Sequence, residues 1–352
     1  MAGLRIGIVG AGGIARGIHL PVLAEIRDAE VRALCDYVPG RAEEAARPYG
    51  IPGIYLSYHD MLSREELDAV FVLVPPDGLF RVAADCLLAG KHVFMEKPMG
   101  ITLFQAASLR DLAETQKRTL HVGFNRRFIP LVREVTREFL KRAPLTHVEG
   151  RFYKNSGASF YGGCAGSFVC DVIHVIDLVR HLAAGGAGKH AALKEATTLE
   201  RIDPKAGIPD AWYSAMVFEN GVTAGIRANY SAGGRVHQFE LHGPGASAFI
   251  DLGFGGAGAS GRILYNPGPG SHSISAAGAD RQEILEFDGI KLAGSEKYEV
   301  YYGYREEDAL FIQTVLGNPG GTDPARTAED LSSMELVEQL LRARVKKAEF
   351  PC

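Results

Sequence analysis

Short apolar runs alternate with amphipathic stretches through about the first third of this 352-residue chain. Apolar positions recur at helical spacing between the runs, in Gly13–Arg27, Arg41–Tyr49, Leu79–Ala89 and Leu103–Lys117. Fully apolar strands that alternate with helices are typical of a parallel sheet covered on both faces. We therefore predict an α/β domain over residues 1–123. Its strands are expected at Arg5–Val9, Val31–Leu34, Ala69–Val74, His92–Met95 and Leu120–Val122.

The pattern changes after Gly123 to two helices and a succession of extended runs. Asn220-Gly221 predicts a hairpin with a type I′ turn, because both central positions of that turn need positive φ. A second turn is expected at His242–Ala246, and the Gly-, Ser- and Ala-rich stretch 253–279 is expected to form loops. We predict an α+β domain with a large, mostly antiparallel sheet over residues 124–352. Its helices are expected at Leu131–Lys141, Ser167–Ala184, Tyr304–Gly317 and Ala328–Lys346, and its strands at Thr146–Tyr153, Ala211–Glu219, Val222–Tyr230, His237–His242 and Ala246–Leu252.

Composition and charge narrow the possible partners. The 38 basic and 42 acidic residues give a net charge of −4, with the signs interspersed, so a nucleic-acid partner is not expected. The apolar run Ala69–Pro76 is too short to cross a membrane, and Met1–Gly10 lacks the parts of a signal peptide. Five cysteines without a Cys-x-x-Cys spacing favour a reducing cytoplasm, with neither a disulfide framework nor a metal site.

A glycine-rich turn follows the first strand and opens the first helix. Gly10-Ala11-Gly12-Gly13-Ile14-Ala15 has the G-x-G-x-x-A spacing of a dinucleotide-binding loop. Gly10 allows the tight turn, Gly12 leaves room for a pyrophosphate, and Ala15 lets the helix pack close to the strand. The pattern predicts a bound dinucleotide.

Asp36 ends the next strand, where a carboxylate accepts hydrogen bonds from an adenosine ribose and repels a 2′-phosphate. NAD is therefore expected in preference to NADP. Arg41 leaves the choice between NAD and NADP open, because it lies close enough in sequence to reach a phosphate or stack on adenine. The alternative interpretation of Arg41 is a solvated helix residue.

Glu96-Lys97-Pro98 comes directly after the strand His92–Met95. A lysine at the carboxyl end of a parallel strand points into the crevice where ligands bind. Lys97 is therefore expected to hold a substrate hydroxyl and take its proton as hydride leaves the same carbon. The alternative is a surface lysine in a turn.

The helix Ser167–Ala184 carries four polar residues. Asp171 and His174 are three residues apart and share a helix face, so they are candidates for the active site. Asp177 and His181 are interpreted as capping or satisfied interior groups. The helix lacks a His-Glu-x-x-His arrangement, which argues against a metal.

Together these motifs resemble the glucose-fructose oxidoreductase, inositol dehydrogenase and rhizopine-catabolism (Gfo/Idh/MocA) family. The resemblance also rests on Pro75-Pro76, on Ala89–Val93 leading into Glu96-Lys97-Pro98, and on Val122–Phe128. It implies a Rossmann domain and NAD(P)-linked oxidation or reduction of a hydroxyl on a sugar, inositol or related polyol. It also implies Lys97 as acid/base, an Asp and a His assisting it, and often a cis bond before Pro98.

Two departures from the family pattern concern the substrate side. The family helix usually reads Asp-x-Gly-x-His; aligned on His174, the acid position holds Cys170 and the glycine position holds Val172. Asp171 is shifted by one residue, about 100° around a helix. The family often has a histidine after the third strand, where this chain has Leu79-Phe80. Both changes suggest an unusual substrate or an altered proton relay.

These expectations define an NAD-dependent oxidoreductase acting on a sugar or polyol and assembling as a homodimer or homotetramer. Lys97, His174 and Asp171 are the expected catalytic residues, and Arg127 and Lys154 are candidates for substrate contact with surface ion pairing as their alternative. Two other functions remain open: a redox-neutral glycosidase, lyase or epimerase that works through a transient keto-sugar, and a non-catalytic cofactor-bound sensor. The expected cofactor contacts are Gly10, Gly12, Gly13, Ile14, Ala15, Asp36, Arg41, Pro75, Glu96 and Lys97.

Overall fold

The chain forms two compact units in the computed structural model, which describes residues 3–156, 166–185, 191–253, 258–266, 282–317 and 323–345. The first unit comprises Met1–Asn125 and Gly303–Met334, and the second comprises Arg126–Tyr302 and Glu335–Cys352. The expected division at residue 123 assigns Gly303–Met334 to the second domain. In the structure this segment packs with residues 1–125 and belongs to the first unit. Independent folding of domains 1–123 and 124–352 remains a prediction.

A parallel sheet of six strands forms the centre of the first unit, in the order β3-β2-β1-β4-β5-β6. The order reverses between β1 and β4, which makes this the point where ligands bind in such sheets. The five expected strands are all present, and the short β3 was not expected. The strands are β1 Leu4–Val9, β2 Ala29–Cys35, β3 Gly53–Tyr55, β4 Ala69–Val72, β5 His92–Glu96 and β6 Leu120–Gly123.

Helices surround this sheet, and α10 from the later segment supplies part of its core. Phe311 of α10 is fully buried against Phe71 of β4 and Phe94 of β5. The first helix is interrupted by a π-helical turn at Ala15–His19. The helices of this unit are α1 Leu20–Glu25, α2 Arg41–Ala46 with a 3₁₀ turn at Arg47–Tyr49, α3 Tyr58–Arg64, α4 Pro76–Leu88, α5 Leu103–Gln116 and α10 Tyr304–Gly317.

An eight-stranded sheet forms the second unit, in the order β14-β13-β12-β11-β7-β10-β9-β8. Neighbouring strands are antiparallel except for β7 and β10. Residues alternate between buried and more exposed along β9 and β12, as expected for a sheet with one covered face. The strands are β7 His147–Asn155, β8 Leu193–Ile202, β9 Pro209–Phe218, β10 Thr223–Asn229, β11 Ser231–Gly243, β12 Ala246–Asp251, β13 Ser260–Tyr265 and β14 Glu283–Asp288.

The covered face of this sheet is packed by two helices. Helix α6 lies on β12 and β13, and α7 lies on β7 and β10. A π-helical turn at Phe168–Val172 leads into α7. The helices are α6 Pro130–Leu140, α7 Ile173–Ala183, α8 Gly289–Ala293, α9 Tyr298–Tyr301 and α11 Pro324–Arg342, which begins in the first unit and ends in the second.

The predicted fold class, a parallel α/β sheet with a second, mostly antiparallel sheet, is confirmed. Two details are wrong. The turn at Asn220-Gly221 is not type I′, because only Gly221 has positive φ; Gly221 N donates to Phe218 O, as in a type I turn followed by a left-handed glycine. The stretch 253–279 is not all loop, since it contains β13; residues 254–257 and 267–279 lie outside the described residues.

Packing of α7 on β7 depends on Gly150. A Cβ atom there would lie 2.5 Å from Val175 Cγ2 and 2.8 Å from Val179 Cγ2. By contrast, a Cβ atom at Gly233 of β11 would meet no other atom within 4 Å. The close approach of α7 to the sheet is therefore set by one missing methyl group.

We expect Gly150→Ala to reduce the free energy of unfolding by about 1–3 kcal/mol, because the added methyl group overpacks this contact. The matched variant Gly233→Ala is expected to change it by less than about 0.5 kcal/mol. Urea denaturation of both variants measures the difference. Equal losses would show that the packing of α7 tolerates the methyl group.

Candidate active site

The glycine loop begins at a position that only glycine can occupy. Gly10 has φ of 101°, and its N–H donates to Cys35 O at 2.8 Å. A Cβ atom at Gly10 would lie 2.5 Å from Leu73 O. Both conformation and close contact with the end of β4 therefore require glycine here.

The next part of the loop leaves open space where a ligand would be held. A Cβ atom at Gly12 or Gly13 would meet no atom within 4 Å. Arg16 N donates to Gly12 O at 3.0 Å, so the helix starts directly from the loop. Ile14 is half-buried and Ala15 is fully buried, as close packing of this helix requires. The open backbone followed by a helix start fits the pyrophosphate of a dinucleotide.

Asp36 is tied to the same loop. Its carboxylate is buried and accepts hydrogen bonds from Ala11 N and Val38 N, each at 2.9 Å. Arg41 Nη1 lies 3.6 Å from Asp36 Oδ1. Asp36 therefore shapes the glycine loop and places its carboxylate at the carboxyl end of β2. Arg41 is paired with that carboxylate rather than being only a solvated helix residue.

Two prolines mark the carboxyl end of β4. Pro75 lies just before α4 with φ −55° and ψ 155°, and Pro76 is the first residue of that helix. Proline suits this position because its missing N–H is one of the groups that a helix start leaves unbonded. Pro75 therefore fixes the chain beside the end of β1, since β1 and β4 are neighbours.

Lys97 follows the last residue of β5, at the same edge of the sheet. The Lys97–Pro98 peptide bond is cis, as the family resemblance implies. Glu96 is buried, and its Oε2 accepts a hydrogen bond from Lys97 N at 3.2 Å. Lys97 itself is half-buried, and its role as acid/base remains a prediction beside the alternative of a surface lysine in a turn.

In the second unit, Asp171 joins Lys154 and Tyr230. Asp171 Oδ2 accepts hydrogen bonds from Lys154 Nζ and, at 2.6 Å, from Tyr230 Oη. All three side chains are buried. Burial lowers the pKa of Lys154 to about 8, although Asp171 opposes the shift. A lysine with such a pKa can exchange a proton near neutral pH.

Phe152 of β7 is the common neighbour of the polar side chains here. Lys154 Nζ lies 4.8 Å from the centre of its ring, and the His174 ring centre lies 6.5 Å away. The His237 ring stacks on Phe152 at 4.2 Å, and Arg126 lies 5.6 Å from the ring centre. Burial, reinforced by Arg126, lowers the pKa of His237 well below its usual value. The structure thus gathers Lys154, His174 and, through Lys154, Asp171.

Arg127 forms a buried ion pair with Asp177 of α7. Arg127 Nε lies 2.9 Å from Asp177 Oδ2, and both side chains are almost completely buried. Surface ion pairing of Arg127 is therefore wrong, and Asp177 is a satisfied interior group as expected. Contact of Arg127 with a substrate remains a prediction.

The sequence analysis missed two groups. Tyr230 was not expected to bond to Asp171, although an aromatic residue at the end of a strand could have drawn attention to it. The second group is His19, which is fully buried and lies 2.9 Å from Asp308. No sequence signal links residues 289 positions apart.

The remaining expectations concern thiols, metals and membranes. Cys35, Cys86 and Cys170 are buried free thiols, and Cys164 and Cys352 lie outside the described residues. Burial raises the pKa of the Cys35 thiol to about 12. Within the described ranges, no group of three or more His, Cys, Asp and Glu side chains could hold a metal ion. No helix in the same ranges is long and apolar enough to cross a membrane.

Residues 4–124 match the model of an oxidoreductase family with an NAD-binding Rossmann fold. Over these residues the chain has an NAD(P)-binding Rossmann fold. The match confirms, for this part of the chain, the resemblance to the Gfo/Idh/MocA family seen in the sequence.

Two curated relatives match parts of the chain. The putative oxidoreductase YceM of Salmonella typhimurium is 34% identical over 189 residues, covering 53% of this chain and 59% of YceM. Inositol 2-dehydrogenase of the same organism is 37% identical over 131 residues, covering 36% of this chain and 38% of that enzyme. The chain thus matches less than two thirds of the length of either relative.

Solved structures match the fold over almost the whole chain. A dehydrogenase from Chromobacterium violaceum has a TM-score of 0.81 at 21% identity, covering 98% of this chain and 96% of its own. GenD2 from gentamicin A biosynthesis, in complex with NAD, has a TM-score of 0.76 at 19% identity, covering 97% and 94%. KijD10, a 3-ketoreductase from Actinomadura kijaniata in complex with NADP and TDP-benzene, has the same score and identity, covering 97% and 98%. These similarities show the fold.

We expect Asp171→Asn to lower the free energy of unfolding by about 3–5 kcal/mol, because it leaves the Lys154 ammonium buried without its carboxylate. Cys170→Ser, one residue away, is expected to have a clearly smaller effect. Chemical denaturation at pH 7 measures both.

The same two variants test the shifted acid in catalysis. Turnover on a panel of polyols is expected to fall strongly in Asp171→Asn and mildly in Cys170→Ser. A harmless Asp171→Asn together with a severe Cys170→Ser would assign the family's acid position to the cysteine.

Proposed function

We propose that the protein is an NAD-dependent oxidoreductase that transfers a hydride between nicotinamide and a hydroxyl or keto carbon of a sugar, inositol or related polyol. One observation carries the proposal: the glycine loop and Lys97 follow β1 and β5 at the carboxyl edge of one parallel sheet. Ligands bind at this edge in such sheets. The name of the inositol 2-dehydrogenase relative supports the substrate class.

The residues of this chain have separate tasks in the proposed reaction. The nicotinamide, when bound, accepts or donates the hydride. Lys97 takes the proton of the substrate hydroxyl during oxidation and returns it during reduction. His174 assists this transfer, and Asp171 holds Lys154 so that its ammonium donates to another substrate oxygen. The residues that bind the cofactor are the ten expected from the sequence, with the loop Gly10–Ala15 holding the pyrophosphate.

NAD rather than NADP is the proposed cofactor. The carboxylate of Asp36 repels a 2′-phosphate, while the nearby Arg41 guanidinium partly offsets that charge. The N–H groups of Ala11 and Val38 both donate to the Asp36 carboxylate and hold it at the end of β2.

Assembly and location are proposals as well. We propose a homodimer or homotetramer formed through the outer face of the eight-stranded sheet, in the cytoplasm. Large side chains on this face support it: Tyr213 is 43% exposed, and the Arg227 guanidinium lies 5.3 Å from its ring centre. A monomer in sedimentation velocity would contradict the assembly, and cell fractionation tests the location.

We expect NAD to bind at least about tenfold more tightly than NADP, because only NADP brings a 2′-phosphate against Asp36. The difference is expected to shrink in Asp36→Asn, which keeps the size of the side chain and removes its charge. Fluorescence titration gives the four dissociation constants. Equal affinities of the unmodified protein for the two cofactors would contradict the proposal.

Lys97→Met is expected to reduce turnover at least about 100-fold, as removal of a general acid/base does. The melting temperature is expected to change little. Lys91→Met is the matched control, since Lys91 lies just before the other end of β5 and donates to Leu67 O.

A polyol panel with added NAD supplies the measurement for both lysine variants, with reduced cofactor and product followed together. Near-normal turnover of Lys97→Met would remove Lys97 as the acid/base. Product without net reduced cofactor in the unmodified protein would indicate the redox-neutral alternative. Tight cofactor binding with neither signal would indicate the sensor.

A further inference from the structure

A buried histidine lies behind the glycine loop of the first unit. His19 ends the π-helical turn Ala15–His19 and is fully buried. Its Nδ1 lies 2.9 Å from Asp308 Oδ2, and its Nε2 lies 3.4 Å from Glu96 Oε1. Neither the expected catalytic residues nor the expected cofactor contacts include His19 or Asp308.

The two nitrogens of His19 both face carboxylate oxygens. A neutral imidazole has one N–H, so only the imidazolium donates to both acids. The rings of Phe71, Phe94 and Tyr304 surround it edge-on, at 5.4–6.1 Å between ring centres. A buried charge in such a setting is retained only with its partners.

Charges on the packed elements favour the cation. Burial alone lowers the pKa of His19, but Asp308 and Glu96 together outweigh it and raise the pKa to about 10. The next acid on α10, Glu307, is also buried, and burial raises its pKa well above the usual value while Arg326 opposes the shift. Arg326 Nη2 of α11 lies 3.8 Å from Glu307 Oε1.

Glu96 carries this interaction to the end of β5. One of its oxygens faces His19, and the other accepts the hydrogen bond from Lys97 N at 3.2 Å. Hydrogen-bonded contacts therefore run without a break from Asp308 to His19, from His19 to Glu96, and from Glu96 to Lys97. It joins α10, the helix behind the glycine loop, and the residue proposed as acid/base.

We propose that the His19 imidazolium is a positioning residue for Lys97, which it holds through the carboxylate of Glu96, and that it couples the glycine loop to the end of β5. The inference rests on the proposed role of Lys97. Asp308 supplies the second counter-charge that keeps His19 cationic and fixes its ring. Loss of His19 removes the positive partner of Glu96, so the acceptor of the Lys97 N–H is no longer held in place.

The test uses the double variant His19→Gln with Asp308→Asn, so that Asp308 is not left as a buried carboxylate without its partner and the change acts on Glu96. The control is His121→Gln with Asp323→Asn. This second His–Asp pair of the same unit has His121 Nε2 3.1 Å from Asp323 Oδ2, with His121 buried. Hydrogen exchange at the Lys97 amide is measured by NMR or mass spectrometry on the full chain, with and without added NAD.

We expect exchange at the Lys97 amide to be at least about tenfold faster in the His19/Asp308 variant and unchanged in the control. Added NAD is expected to slow this exchange in the unmodified protein and in the control, and to lose that effect in the His19/Asp308 variant. A folded His19/Asp308 variant with unchanged exchange at Lys97 would overturn the proposal.

Histidine labelled with ¹⁵N in the unmodified protein keeps the proposal testable if the double variant does not fold. One of the 11 histidines is expected to keep both ring N–H groups at pH 8.5. If none does, His19 is not the cation that the proposal needs. Exchange at the Lys97 amide is independent of turnover, so near-normal turnover of Lys97→Met would refute the acid/base role of Lys97 and leave the exchange result standing.

Discussion

The carboxyl ends of the parallel strands meet at one edge of the sheet, and every argument about the cofactor depends on this constraint. Asp36 follows β2, the glycine loop follows β1, Pro75 follows β4 and Lys97 follows β5. These residues lie far apart in sequence, but strand order brings them to one edge. Close packing then selects the residue types, since Gly10 touches Leu73 O while Gly12 and Gly13 face open space. The loop is thus shaped by the protein on one side and left open on the other.

Asp171 of the second unit, one of the expected catalytic residues, has two hydrogen-bond donors of its own. In the structure its Oδ2 already accepts from Lys154 and Tyr230, so its first task is to neutralise and orient the lysine. In the proposed reaction the contact with a substrate oxygen therefore falls to Lys154, whose pKa of about 8 suits proton exchange. Asp171 lies one residue after the family's acid position, and in this chain its partner is Lys154.

Much of the fold followed from local pattern, and the failures have physical causes. The apolar strands β1, β2, β4, β5 and β6 were predicted because burial on both faces leaves continuous apolar runs. Strand β3 has only three residues, and β8 and β14 are edge strands whose residues are mostly exposed, so these three strands gave no signal. The hairpin at Asn220-Gly221 was predicted correctly. Its turn type depends on the sign of φ at Asn220, and asparagine can adopt either sign. The pairing of His19 with Asp308 requires the tertiary fold.

A π-helical turn interrupts the α-helical spacing at the site itself. The expectation that Asp171 and His174 share a face assumes 3.6 residues per turn. The segment Phe168–Val172 is a π-helical turn, in which each residue advances less around the axis. Two side chains on either side of such a turn are therefore separated by a different angle around the helix axis than in a regular α-helix. The other π-helical turn ends at His19, directly behind the glycine loop. Both turns occur where a buried acid or histidine must reach a partner on another element, and for such residues contact geometry, rather than spacing, has to assign the role.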